Sequence, residues 1–420
     1  MKYLSRHIEG RVLRMAERFP VVLVGGARQA GKSTLVAHLF GNHCRTFVFD
    51  PVIDVGEAQR DPELFLSLNP PPLILDEVQY APHLLPVIKR IADARADDRG
   101  LFFLTGSQQF QLIENISESL AGRVFVADLM PMSSAELAGT LRPGAIEALF
   151  HKDPPDNARE ILSLLRNASM QVASSGLLLE RIFRGGYPRL IDFRTNEVAE
   201  WLGSYLRTYV ERDVRRLRDL ADPHDFTRFL RLAAALTSRE INYSQLGREI
   251  GINPRTAKGW LEVLTASYQV FLVDAYNGNT VKRVSGRPKI YVTDTGFACH
   301  LLSITSPEAL NAHPLIGQLF ETFTVGEIVK HIAGLDARPR TQHWRTRGGA
   351  EVDLILERDG VLYPIEIKLK ARPSRRDLSG IRAFAETYSG ERIGPRIVFH
   401  GGTELFLIDE YTVAIPVSMI

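Results

Sequence analysis

The segment Gly26-Ala27-Arg28-Gln29-Ala30-Gly31-Lys32-Ser33 has the spacing G-x-x-x-x-G-K-[ST], and Thr34 opens the helical run behind it. Glycines at both ends let the backbone curl until successive N–H groups face one point, where they cradle phosphate oxygens. The helix that follows adds the positive end of its dipole. In such a loop Lys32 reaches the β- and γ-phosphates and the Ser33 hydroxyl ligates magnesium. The chemistry indicated is binding of ATP with Mg2+ by residues 26–34.

A second group stands where the first requires it. Leu73-Ile-Leu-Asp76-Glu77 is an apolar strand ending in two acids. Asp76 at its carboxyl end holds the magnesium shell, and Glu77 is placed to polarise an attacking water. Leu101–Leu104 ends in Thr105-Gly106-Ser107, which offers a polar side chain, Ser107, to the γ-phosphate or the water. Arg123, in Leu120-Ala-Gly-Arg123, has two readings: an arginine finger acting across a subunit boundary, or a surface arginine after a glycine helix stop.

The third group lies near the other end of the chain. Glu351-Val-Asp353-Leu-Ile-Leu-Glu357 and Tyr363-Pro-Ile-Glu366-Ile-Lys368-Leu flank Arg358-Asp359-Gly360. If Asp359-Gly360 is a two-residue hairpin turn, Asp353 lies opposite Glu366 and Glu351 opposite Lys368. Facing carboxylates are unfavourable without a cation between them. Lys368 shares their face, because strand side chains repeat every two residues. An acid followed by E-x-K on the next strand is the arrangement of PD-(D/E)xK nucleases, in which carboxylates hold Mg2+ or Mn2+ and the lysine positions water. Glu321 in Leu319-Phe-Glu-Thr-Phe is a further candidate ligand. A half-buried hairpin with Glu351 and Lys368 ion-paired is the plainer alternative, and a nuclease-like fold without cleavage is a third.

These groups need scaffolding, and the hydrophobic pattern supplies it. Short apolar runs at Val21–Val24, Phe47–Phe49, Leu73–Leu75, Leu101–Leu104 and Val124–Val126 alternate with helical stretches, which predicts a parallel sheet covered on both faces. Residues 1–130 form this core and 131–200 a helical lid or linker. In 201–286 two short helices are expected, one over Asn242–Ile250 ended by Gly251, one begun by Asn253-Pro254 and running to Ala266. With a hairpin of Phe271–Asp274 and Thr280–Val284 they read as a winged helix-turn-helix. Arg255 and Lys258 would meet DNA phosphates with Thr256 near bases, or the module packs against the ATPase core or a neighbouring subunit. Arg207, Arg212, Arg215, Arg216 and Arg218 form a denser basic cluster, offset by Glu211 and Asp213, and read by default as a solvated face. Residues 287–420, with strands at Lys289–Val292, Glu351–Glu357, Tyr363–Leu369 and Arg396–Phe399, make the last domain.

Composition bounds the rest. The 420 residues include 51 basic and 49 acidic side chains, so any nucleic-acid surface depends on local segregation of charge. Cys44 and Cys299 are the two cysteines and form no C-x-x-C pair, which fits a reducing cytosol. The start does not read as a signal peptide, and no run approaches the length of a membrane span. A cytoplasmic location is expected.

Taken together, Pro20–Ser33, Leu75-Asp76-Glu77-Val-Gln, Thr105-Gly-Ser107, Leu120-Ala-Gly-Arg123 and Gly185-Gly-Tyr-Pro188 come in a characteristic order. So do Tyr209-Val-Glu-Arg-Asp213, Ile290-Tyr-Val-Thr-Asp294-Thr-Gly296 and Glu351-Val-Asp353…Glu366-Ile-Lys368. The chain resembles a large prokaryotic family of AAA+-like ATPases whose C-terminal part is a domain of unknown function. The resemblance implies an α/β fold made of an AAA+-like P-loop sheet, a helical and winged-helix middle and a restriction-endonuclease-like end. Ala27 stands where that family commonly has Pro, and Ser33 where it commonly has Thr; neither change removes a phosphate contact. Two functions are then expected. Either ATP hydrolysis in a homo-oligomer drives cleavage of nucleic acid, DNA in the first instance, or the protein is an ATP-controlled switch whose C-terminal domain binds nucleic acid or a partner without cutting.

Overall fold

Five apolar runs assemble into one parallel sheet: β1 (Val21–Gly26), β2 (Arg45–Val48), β3 (Leu73–Asp76), β4 (Phe102–Gly106) and β5 (Val124–Leu129), in the order β2-β3-β4-β1-β5. The computed structural model describes residues 3–49, 55–107, 120–139, 144–150, 154–167, 175–210, 223–278 and 286–420. Side chains alternate between the sheet's faces. Val21, Leu23, Leu75 and Leu104 pack into one core, and Val22, Val24, Ile74 and Phe103 into another on the opposite face. Burial on both sides explains why these strands read as continuous apolar runs rather than as alternating ones. All five point the same way, so the loops after β1, β3 and β4 open on one edge.

Helices follow at Ser134–Leu137, Ala145–Phe150, Ala158–Asn167, Ser175–Arg184 and Thr195–Thr208. Two motifs of the family resemblance meet here as a single joint. Buried Asp294 accepts from Phe297 N at 2.8 Å, capping a helix, and from Gly186 N at 2.6 Å. A side chain at Gly185 (φ 73°) would meet the Asp294 carboxylate at 2.2 Å, and one at Gly296 the Arg184 carbonyl at 2.3 Å. Gly185 is required by its positive φ and the Asp294 carboxylate against it, Gly296 by the close approach of the Arg184 backbone.

In the middle region the expected helices form at Tyr243–Ile250 and Pro254–Ala266. The Asn242 side chain caps the first, Gly251 (φ 85°) ends it, and Asn253 Oδ1 accepts from Thr256 N at 2.8 Å to cap the second. Strands β6 (Arg239–Glu240), β7 (Val270–Ala275) and β8 (Lys289–Val292) complete the unit, with β8 antiparallel to both others. Lys289–Val292, expected with the C-terminal strands, pairs directly with β6 and β7 and joins the C-terminal strands in one sheet through β7. Thr280–Val284, Glu211, Arg212, Asp213, Arg215, Arg216 and Arg218 lie outside the described residues.

The C-terminal unit adds β9 (Arg340–Arg345), β10 (Glu351–Arg358), β11 (Val361–Lys368), β12 (Arg392–Ile393), β13 (Arg396–His400), β14 (Phe406–Asp409) and β15 (Thr412–Pro416). Their mixed sheet runs β14-β15-β13-β11-β10-β9 and continues into β7 and β8 through a parallel β9–β7 pair. One continuous core extends from Ala145 to Ile420, so no solvent layer separates the middle from the end. The helix Ile316–Gly334, apolar on most sides and largely buried, packs on β11. Among the described residues, no helix is long and apolar enough to cross a membrane.

Candidate functional site

At the carboxyl edge of the parallel sheet, β1 delivers the loop Ala27–Gly31 to the helix Lys32–Phe40. The loop turns through Gln29 (φ 63°) and Gly31 (φ 98°); at Gly26 (φ 153°) a side chain would strike the Leu129 carbonyl at 2.3 Å. Lys32, 4% exposed, donates from Nζ to Ala27 O at 3.0 Å, so its ammonium lies across the mouth of the loop. Ser33 Oγ donates to Asp76 Oδ1 at 2.7 Å. Sequence-distant Ser33 and Asp76 are thus in direct contact, as a shared magnesium shell requires.

Thr105 was not singled out by sequence, and it organises this edge. Its Oγ1 donates to Asp76 Oδ1 and accepts from Glu77 N at 3.0 Å. The signal was in the register: β3 and β4 pair Leu75 with Leu104, which sets the next residues, Asp76 and Thr105, side by side. Glu77 itself adopts a left-handed conformation (φ 55°) that swings it out of the strand. Its Oε2 accepts from Ser107 Oγ at 3.2 Å and from Gln79 Nε2, and Gln79 Nε2 also lies 3.2 Å from Ser107 Oγ. Ser107, expected at the phosphate or the water, holds the carboxylate expected to polarise that water.

Arg28 donates to Tyr80 OH at 3.2 Å. Arg6, from the segment before β1, donates to Ala30 O at 2.9 Å and to Met130 O at 2.7 Å, and pairs with Glu136 at 3.0 Å. From the middle region Tyr268 (φ 58°) donates to Asp128 at 2.7 Å and lies so close to Gly25 that any side chain there would meet its hydroxyl at 2.4 Å. The nucleotide edge is therefore clamped by parts of the chain far from it in sequence.

Arg123 immediately precedes β5, at the opposite edge of the sheet. Val124 pairs with Val21 and Leu129 with Gly26, so about 17 Å of strand, at roughly 3.3 Å per residue, separates Arg123 from its own phosphate loop. Its guanidinium is paired with Asp93 and donates to Ala121 O at 2.9 Å.

In the C-terminal unit the hairpin register is the expected one: Leu354 pairs with Ile365 and Arg358 with Val361, around Asp359 (φ 53°) and Gly360 (φ 74°). Asp353 and Glu366 are both buried. Lys368 Nζ lies 2.5 Å from Glu366 Oε1 and 3.8 Å from Asp353 Oδ2, while Asp353 Oδ2 accepts from Ile367 N at 2.8 Å. Glu321 joins them from the helix Ile316–Gly334.

Lys289 is the residue sequence reasoning missed. At 1% exposure it sits among Glu351 (2.5 Å), Glu321 (3.0 Å) and Asp353 (3.8 Å). Tyr291, two residues on and so on the same face, donates to Glu321 at 2.8 Å. The ion pair expected between Glu351 and Lys368 is replaced by Glu351 with Lys289. No local feature distinguishes a lysine buried this way from one at a strand's exposed start. Burial alone would pull Lys289 down, but Glu321, Asp353 and Glu351 hold its pKa above the ordinary value. Burial and the charge of Asp353 push Glu366 up to about 8, against the pull of Lys368. Burial and Asp353 likewise raise Glu321 to about 7, against Lys289. Four carboxylates, Glu321, Glu351, Asp353 and Glu366, share two lysines, and Glu366 Oε2 is buried with no hydrogen-bond partner. With Arg345 also 3.7 Å from Glu351, the formal deficit is one positive charge, which a proton on Glu366 or a bound cation can meet.

Arg255 and Lys258 are exposed on the helix Pro254–Ala266, with Thr256 partly buried between them.

Comparison with known proteins agrees with this layout. Residues 18–138 match an AAA domain, 175–308 a domain of unknown function (DUF8612) and 316–420 another (DUF4143). The uncharacterized proteins Rv2008c of Mycobacterium tuberculosis and Mb2031c of Mycobacterium bovis are each 30% identical over 417 residues, 99% of this chain and 84% of theirs. A Walker-type ATPase of Pyrococcus abyssi is 16% identical, with a TM-score of 0.44 over 70% of this chain and 94% of that one.

Proposed function

The chain belongs to the family of these two mycobacterial proteins, an AAA domain continued by two further domains, and from that premise we propose that it is a magnesium-dependent ATPase. One observation carries the reading: Ser33, Asp76 and Thr105 form a bonded set beside Lys32, with Glu77 poised next to it on Ser107 and Gln79. Backbone N–H groups of residues 26–34 and the Lys32 ammonium would bind the phosphates. Ser33 and Asp76 would hold magnesium, which when bound neutralises charge on the phosphate oxygens. Glu77 would accept the proton of the attacking water, and Ser107 and Gln79 fix its direction. Purified protein should hydrolyse ATP only with Mg2+, and Lys32→Ala should abolish it; magnesium-independent turnover, or turnover in that variant, would sink the assignment.

We propose further that Asp353, Glu366 and Glu321 bind Mg2+ or Mn2+ and that the middle unit is a winged helix, offering Arg255 and Lys258 to phosphates of DNA. The charge deficit of the buried cluster supports the metal site. Lys289 favours the second reading, an ATP-controlled switch, because its ammonium already takes part of the space and charge a cutting site needs. Incubation with plasmid, linear and single-stranded DNA and with RNA, with and without ATP and either metal, separates the two: metal-dependent cleavage lost in Lys368→Ala supports a nuclease, and metal binding without cleavage supports the switch. An assembly in which Arg123 enters a neighbour's nucleotide site is part of the same proposal.

A further inference from the structure

Three remote parts of the chain bring His7, Glu147 and His331 to one point. His7 lies in the segment before β1, Glu147 on the helix Ala145–Phe150 and His331 on the helix Ile316–Gly334. Glu147 Oε1 is 2.7 Å from His331 Nδ1 and 3.3 Å from His7 Nδ1, and all three ligand atoms lie within 4.8 Å of one another. The imidazole centroids are 4.0 Å apart. Side-chain exposure is 0% for His331, 8% for His7 and 18% for Glu147.

We infer that these three residues form a binding site for a divalent transition ion of the zinc type, independent of the nucleotide site and of the C-terminal acids. Two imidazoles and one carboxylate are a donor set zinc takes with a fourth position left to water. Ligands about 2.0–2.1 Å from a tetrahedral ion stand roughly 3.3 Å from each other; Glu147 stands 3.3 Å from His7 and 2.7 Å from His331, so an ion would part the second pair by a few tenths of an ångström. Ion pairing of Glu147 with the two imidazoles is the competing explanation of the cluster. The neighbouring acids each have a cation of their own: Glu136 pairs with Arg6 at 3.0 Å and Glu327 with Lys330 at 2.9 Å. Glu147 has only the two imidazoles and Gly144 N, at 3.0 Å. The other nitrogen of His7 is 2.9 Å from Ser133 Oγ, the outer-shell bond that orients a ligating imidazole. His331 Nε2 is buried with no hydrogen-bond partner, so whatever fixes this ring in the core acts at Nδ1.

The position gives such a site a use. His7 follows Arg6, which holds the carbonyl of Ala30 in the phosphate loop, and His331 shares a helix with Glu321 of the C-terminal cluster. Ten residues of helix span about 15 Å. An ion here would fasten the segment that touches the nucleotide loop to the helix that carries the acid site.

Zinc binding by the full-length chain tests the inference, measured in the Asp353→Asn background so that the acid site does not contribute. One zinc per chain should survive gel filtration and be counted by elemental analysis, and Co2+ in its place should give the visible absorption of a four-coordinate ion. Glu147→Gln and His7→Gln should each weaken zinc by at least ~100-fold, and Ser133→Ala by about 10–100-fold, as for other outer-shell partners. Circular dichroism establishes that each variant is folded; Ser133→Ala keeps the test informative if a ligand variant is not. Folded parent protein that takes up no zinc, or variants that bind it as tightly as the parent, would overturn the site.

Discussion

Arg123 and Asp93 form a two-pronged ion pair at the amino edge of the parallel sheet, the edge away from the phosphate loop of the same chain. The pair is partly solvated, with side chains 35% and 45% exposed, so it contributes little to stability, about 0–1 kcal/mol, and can exchange for another partner. We expect Arg123→Ala to melt within a few degrees of wild type but to lose ATPase activity by about 10³-fold, the lower end for an arginine finger. Mixing it with inactive Lys32→Ala should restore activity by completing sites between subunits. No recovery, with subunit exchange shown by an independent label, would remove Arg123 from the reaction.

Lys32 and Glu77 should fail differently. Lys32 meets ground-state phosphates, so Lys32→Ala loses nucleotide affinity. Glu77→Gln keeps affinity and loses turnover by roughly 10²–10⁴-fold, the range for a general base. Fluorescent-nucleotide titration beside a phosphate-release assay distinguishes them. Glu77→Gln turning over at the wild-type rate would show that another group handles the proton.

Thr105 holds both acids at once, and Thr105→Val removes its hydroxyl with little change of shape. Because the site is fully buried, loss of the bonds to Asp76 and Glu77 N should cost about 1–3 kcal/mol of stability. The same variant should need more Mg2+ for half-maximal ATPase activity. Unchanged melting together with an unchanged magnesium requirement would reduce Thr105 to a bystander.

The folded-state pKa of Glu366, raised to about 8 from an ordinary 4.5, has a definite sign. A raised carboxyl binds its proton more tightly when folded, so its stabilising contribution is full below the unfolded value and disappears as pH rises through about 8. Metal-free wild type should therefore lose thermal stability between about pH 5 and 8 more steeply than Glu366→Gln, whose side chain cannot ionise. Mn2+ competes with that proton, so it should bind more tightly at pH 8.5 than at 6.5 and release protons on binding. Equal slopes in melting scans of the two proteins would show that Glu366 is not the group that titrates. Asp353→Asn should weaken Mn2+ binding at either pH, and calorimetry with the nucleotide loop silenced by Lys32→Ala reads this directly.

What the sequence determined by itself is what local physics encodes. Glycine spacing with Lys32 and Ser33 specifies a phosphate loop, because only that backbone curl aims consecutive N–H groups together. Two acids at the end of Leu73–Leu75, the cap at Asn253, and the Asp359-Gly360 turn were equally legible; a two-residue turn sets the strand register and so places Asp353 against Glu366. Tertiary structure alone decided the rest. Register between β3 and β4 put Thr105 on Asp76, sheet direction put Arg123 at the far edge, and pairing with β7 carried Lys289 into an acidic cluster formed by residues far along the chain. His7, Glu147 and His331 meet for the same reason. A hydrogen-bond ladder or a packed helix face does not record, in the sequence around a charged residue, which remote charge will stand opposite it, and that partner decides whether the desolvation of a buried charge is offset.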